Sequence, residues 1–126
     1  MLSNARLTAF AATAQPVLAR DFYQRTLGLP IRSEDDFALV FDANGVELRI
    51  QKVEKVVPHS YTALGWTVSD LHDVMTELTG RGVTFELYPF LDQDADGVWT
   101  APSGTRVAWF KDPDGNLLSL AEHDAR

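Results

Sequence analysis

The feature that most constrains this chain is that it repeats itself. Asp42-Ala43-Asn44-Gly45 and Asp112-Pro113-Asp114-Gly115 are two acidic, glycine-closed turns, and a strand-like segment follows each. Upstream of each turn a helical stretch ends in glycine, Val17–Leu27 before Gly28 and Asp70–Arg81 before Gly82. After the first turn, Val46-Glu47-Leu48-Arg49-Ile50-Gln51 alternates strictly, so one side of that strand is apolar and the other polar. A repeated supersecondary unit cannot bury its apolar side alone and needs its copy.

Each copy reads strand, helix, three strands. In the first, about residues 6–53, Leu7–Thr13 is the opening strand. Pro16 starts the helix at a position where its missing N–H costs nothing, and Gly28 caps it. Strands at Pro30–Glu34, Phe37–Asp42 and Val46–Val53 follow. In the second, about residues 61–122, Tyr61–Val68 is the opening strand and Ser69 the helix N-cap. Val83–Tyr88, Thr105–Lys111 and Asn116–Glu122 are the three strands, with an acidic loop at Pro89–Gly97. The expected fold is α+β: tandem βαβββ repeats forming a curved, open mixed sheet, with the helices on its outer face and a cleft on the concave one.

A length of 126 residues with 45% hydrophobic content suits one domain spanning the whole chain. The net charge of −7 argues against nucleic-acid partners, which need clustered Lys and Arg. There are no cysteines, which excludes disulfides, thiolate catalysis and Cys-based zinc sites. No apolar run is long enough to span a membrane. The apolar segment Leu7–Ala14 is read as a strand rather than a signal peptide, and the expected location is cytoplasmic. His59, His72 and His123 have no H-x-H or HExxH spacing and read as surface residues. Asp92, Asp94 and Asp96 alternate as in a calcium loop, but Ser103 stands where the twelfth-position glutamate belongs, so the segment reads as a solvated acidic loop.

Three motifs carry a resemblance. Phe22-Tyr23-Gln24-Arg25-Thr26-Leu27-Gly28-Leu29 resembles the FYxxxLGL helix signature of the vicinal oxygen chelate superfamily, which includes glyoxalases, bleomycin resistance proteins and extradiol dioxygenases. Trp109-Phe110-Lys111-Asp112-Pro113-Asp114-Gly115-Asn116 is similar to its FxDPDGN hairpin, and Ser69-Asp70-Leu71 to the start of its second helix. The resemblance implies the βαβββ repeat fold, usually a homodimer, and activities ranging from metal-dependent lyases, isomerases and dioxygenases to thiol transfer onto fosfomycin and drug sequestration. Fold alone does not choose among these.

Metal-using members of that superfamily place His, Gln or Glu at set positions. Carried over one by one, those positions hold Thr8, Arg49, Ala63 and Ser119. A methyl cannot ligate, hydroxyls ligate poorly and a guanidinium repels a cation. The expectation is therefore no metal and no cofactor.

Strand parity adds Phe10, Ala12, Glu47, Gln51, Tyr61, Gly65, Thr67 and Leu117 to the cleft side, and puts Leu7, Leu48, Ile50, Leu64, Trp66, Val68, Leu118 and Leu120 in the core. A three-residue turn with a glycine bulge sets Trp109 across from Ser119 on the cleft side. Trp99 follows the acidic loop at the expected cleft mouth. The candidate ligand-binding residues are therefore Thr8, Phe10, Glu47, Arg49, Tyr61, Trp99, Trp109 and Ser119. They point to a binding protein of the bleomycin-resistance type for a planar, aromatic small molecule. The alternative is a superfamily enzyme with no metal or an atypical metal, using Arg49 with Glu47 or Tyr61 for proton transfer.

Overall fold

The computed structural model describes residues 1–123. It divides into two compact units, the first ending at Pro58 and the second beginning at His59, at the boundary between the repeats. The first unit contains β1 (Thr8–Thr13), α1 (Pro16–Asp21), β2 (Ile31–Glu34), β3 (Ala38–Ala43) and β4 (Val46–Lys52). The second contains β5 (Leu64–Thr67), α2 (Leu71–Gly80), β6 (Trp99–Thr100), β7 (Arg106–Lys111) and β8 (Leu117–Glu122). Each unit is thus βαβββ and forms its own four-stranded mixed sheet, in the orders β1-β4-β3-β2 and β5-β8-β7-β6. The first strand of each runs parallel to the last, and the last two strands form an antiparallel hairpin.

In the first unit Leu48 and Ile50 are buried, while Glu47, Arg49 and Gln51, on the opposite side of β4, are part-buried or exposed. Tyr23 packs its ring on Phe41, 5.7 Å between centroids, and both are fully buried. The helix does not run regularly to Leu27. It widens into one π-type turn over Phe22–Thr26, closed by the Leu27 N–H on the Phe22 carbonyl, and Gly28 at φ 76° lets the chain turn away. Leu7, expected in the core, lies outside β1 and is 74% exposed.

In the second unit the N-cap is Asp70, not Ser69: its carboxylate accepts the Asp73 N–H at 3.0 Å. Leu71, Met75 and Leu78 recur at helical spacing as the buried stripe of α2. The core of this unit is completed by Ala108, Phe110, Leu118 and Leu120.

The two glycine-closed turns differ in kind. Asn44 and Gly45 both have positive φ (52° and 90°) and join the directly paired Ala43 and Val46, a two-residue hairpin. Pro113 cannot adopt positive φ. The second turn therefore uses three residues, with only Gly115 left-handed, and the Asp112 N–H reaches the Asn116 carbonyl. Buried Asp112 fixes that turn by accepting from the Asp114 and Asn116 N–H groups and from Asn116 Nδ2.

No helix among the described residues is long and apolar enough to cross a membrane.

Candidate functional site: an aromatic face on the second sheet

The three-residue turn sets the register of the β7–β8 hairpin. Trp109 lies opposite Ser119, and Ser119 opposite Gly65 on β5, giving a row across three strands. The neighbouring positions Ala108, Phe110, Leu118 and Leu120 are buried, so this row belongs to the opposite, open side of the sheet. Gly65 is there for space: a Cβ at that position would stand 2.7 Å from Ser119 Oγ.

Trp99 pairs with Val107 on β7, two residues before Trp109 and therefore on the same side. The two indoles are 6.2 Å apart at 36°. Tyr88 meets Trp109 edge to face at 5.9 Å, and Phe90 lies 5.4 Å from Tyr88. Phe90 is 80% exposed, while Tyr88, Trp99 and Trp109 are half-buried. Burial, and secondarily the Glu86 carboxylate, pushes the Tyr88 phenol above its ordinary pKa.

The segment Val83–Tyr88, expected as a strand, is not one. It is tied to β7 by the Glu86 N–H on the Trp109 carbonyl at 2.7 Å, the Glu86–Lys111 ion pair at 3.3 Å and the Phe85–Phe110 ring contact. The loop that follows is held by Gln93. Its amide oxygen accepts the Tyr88 N–H at 2.7 Å, and its nitrogen donates to the carbonyls of Glu86 (3.0 Å) and Gly97 (2.8 Å). Asp94 accepts the N–H groups of Asp96 and Val98. Those two side chains fix the backbone on both flanks of the aromatic cluster.

The first unit has its own open face. Thr8 lies beside Glu47, and Phe10 beside Arg49, along the parallel β1–β4 pair. Phe10 is 52% exposed. Arg49 and Glu47 form a loose ion pair at 3.5 Å. Tyr61 is not on a strand, because β5 begins at Leu64. It is 65% exposed and stacks on His59 at 4.9 Å.

Of the predicted residues, the structure brings together Trp99, Trp109 and Ser119 in the second unit, and Thr8, Phe10, Glu47 and Arg49 in the first. It leaves Tyr61 in a loop. The candidate set read from the sequence leaves out Tyr88, Phe90 and Gln93, although the aromatics of the 88–98 loop are expected to rim the cleft mouth. The aromatic spacing Tyr88-Pro89-Phe90 is a signal for the first two; Gln93 has none, because its partners are all main-chain groups.

Among the described residues no group of three or more His, Cys, Asp or Glu side chains is placed to hold a metal ion.

Residues 9–120 match the family model described as Glyoxalase/Bleomycin resistance protein/Dioxygenase superfamily. The search of curated proteins finds no match. Among solved structures, a superfamily member from Sphaerobacter thermophilus DSM 20745 is 24% identical, with 98% of this chain and 100% of that one covered at a TM-score of 0.76. A fosfomycin resistance protein from Listeria monocytogenes is 12% identical over 96% and 94% of the chains (TM-score 0.74). A lactoylglutathione lyase from Agrobacterium tumefaciens is 16% identical over 94% and 93% (TM-score 0.69). At these identities the likeness is one of fold.

Proposed function

Because the chain belongs to the Glyoxalase/Bleomycin resistance protein/Dioxygenase superfamily, we propose that it is a small-molecule-binding protein of the sequestering kind, holding a planar, largely apolar ligand without a catalytic metal. The observation that carries this function is the Tyr88–Trp99–Trp109 cluster on the open side of the second sheet. Half-exposed aromatic faces stack on planar ligands for about 0.5–1.5 kcal/mol per ring beyond area burial. Beside Trp109, Ser119 and side-chain-free Gly65 leave a shelf on which a flat ring system can lie. Ser119 Oγ and the Tyr88 hydroxyl supply hydrogen bonds at its edges.

The Phe10–Arg49 neighbours on the first sheet are a second contact surface in this proposal. The guanidinium answers an acidic or carbonyl group, and Glu47 balances it when no ligand is present. We take the protein to act in the cytoplasm as a homodimer; the exposure of Leu7, Val17 and Leu18 in the first unit supports a covering partner. Light scattering reads that assembly directly.

The test is a tryptophan-fluorescence titration with a panel of planar aromatic natural products, run beside metal analysis of the purified protein. Saturable quenching that weakens at least about tenfold in Trp109→Ala, a loss of roughly 1.4 kcal/mol, is the expected result. A panel that fails to quench, or a Trp109→Ala protein that binds like wild type, overturns the proposal. A stoichiometric metal overturns its metal-free part.

A further inference from the structure

Away from the aromatic face, α2, residues between Phe85 and Val98, and Arg106 of β7 line a half-open cavity of about 280 Å³. Its floor is apolar: Leu71 and Met75 are core residues of α2 that keep one side toward the cavity, and Phe85 and Val98 complete it. Its mouth is acidic. Asp94 and Asp96 both line it, and Asp94 is locked there because Oδ1 accepts the N–H groups of Asp96 and Val98, each at 2.9 Å.

The one guanidinium in the lining, Arg106, is already paired with the Glu122 carboxylate, so its charge is answered before any ligand arrives. His72, Thr76 and Thr79 form the polar wall from α2. An anion entering this cavity would meet two carboxylates, and Arg106, the lining cation that acts on Asp94, is shared with Glu122. A cation with an apolar body satisfies both parts of the lining at once. The chain's net charge of −7 favours the same sign of ligand at long range.

We infer that this cavity is a second binding site, taking a compact organic cation whose ammonium sits at Asp94 and Asp96 and whose aryl or alkyl body rests on Leu71, Met75 and Phe85. It shares no residue with the Tyr88–Trp99–Trp109 cluster, so it stands or falls independently of the function proposed for that face. Val98, held by Asp94, precedes Trp99 in the chain, so occupancy also perturbs the emission of that indole.

The probe is phenethylamine, titrated into the whole protein and followed by the NMR signals of the Met75 methyl and the Val98 amide. Phenylethanol, of the same shape without the charge, and phenylpropanoate, of opposite charge, are the controls. The expected result is saturable shifts with the amine at millimolar concentration, at least about tenfold weaker binding of the alcohol, and no binding of the acid. Asp96→Asn, an exposed position that leaves the Asp94 loop bonds in place, weakens the amine about fivefold or more, and Asp96→Lys abolishes its binding. Equal binding of amine and alcohol, wild-type affinity in Asp96→Lys, shifts confined to Trp109, or no saturation by about 10 mM would each overturn the inference.

Discussion

The two halves share a backbone plan and differ in what it carries. In both, the first strand runs parallel to the last and the hairpin beside it supplies the buried ladder. In the first half the helix passes within a few residues to the four-residue β2 at the sheet edge. The polar side chains there pair with one another: Glu34 holds both Arg20 and Lys52, and Glu47 holds Arg49. In the second half residues 81–98 intervene, and the edge strand shrinks to Trp99–Thr100. The shortened edge is bordered by a loop pinned through Gln93, and aromatic rings stand where the first half has ion pairs. Repetition thus supplies the scaffold, and the chemistry lies where the copy departs from the original.

Where the halves agree, like substitutions should cost alike. Each buries one phenylalanine on its third strand, Phe41 opposite Leu48 and Phe110 opposite Leu118. Phe41→Ala and Phe110→Ala are each expected to lose about 3–5 kcal/mol in urea unfolding, from lost burial and the cavity left behind. A cost for Phe110→Ala below about 1 kcal/mol would break the equivalence, because the second core would then be able to collapse where the first cannot.

Where they differ, Gln93 is the sharpest point, since nothing in the first half plays its part. Gln93→Ala strands three main-chain partners and is expected to cost about 1–3 kcal/mol. Its signature is loss of the near-ultraviolet circular dichroism from the Trp99–Trp109 pair, with first-half amides such as Val53 keeping their exchange protection. An unchanged tryptophan signal would mean that the loop holds its shape without the clip.

The same contrast explains what could be read from the sequence. The ladders of β4, β7 and β8 were legible because alternation and turn chemistry fix register locally, and Pro113 alone forces the longer turn that sets Trp109 opposite Ser119. Val83–Tyr88 has the alternation of a strand yet forms none, because a strand needs a ladder partner and here one main-chain bond, from Glu86 to the Trp109 carbonyl, and the side-chain contacts Glu86–Lys111 and Phe85–Phe110 take its place. Tyr61 and Leu7 failed in the same way: both extend an apolar pattern past the point where pairing stops. The Gln93 clip was invisible, since a side chain that bonds only main-chain groups leaves no pattern in residue types.

Gly65 gives a smaller test on the aromatic face. Glycine to alanine in an extended strand ordinarily stabilises by about 0.4–1 kcal/mol, but here the added methyl meets Ser119 Oγ at 2.7 Å. Gly65→Ala is therefore expected to destabilise by roughly 1 kcal/mol, and to become neutral or stabilising on a Ser119→Ala background. Additive effects in that thermal-melt cycle would mean the two side chains do not compete for the same space.

The smallest effect separates two glutamates with the same direction of shift and different partners. Glu34 in the first half is held below the usual carboxylate range by Lys52 and then Arg20, both charged side chains. Glu122 in the second is held below it by Arg106 and then by the Leu71 N–H at the start of α2. In both cases the folded state favours the ionised form. The stabilisation is therefore present above the ordinary glutamate pKa of about 4.3 and is lost as pH falls through and below it. Glu34→Gln and Glu122→Gln should each flatten the acid limb of the thermal midpoint against pH. Added salt distinguishes them: at about 0.5 M it screens the side-chain pairs of Glu34 and erases the effect of its substitution. The main-chain bond keeps part of the Glu122 effect at the same salt. Equal salt sensitivity would reduce Glu122 to another surface ion pair and remove its role in anchoring α2 to β8.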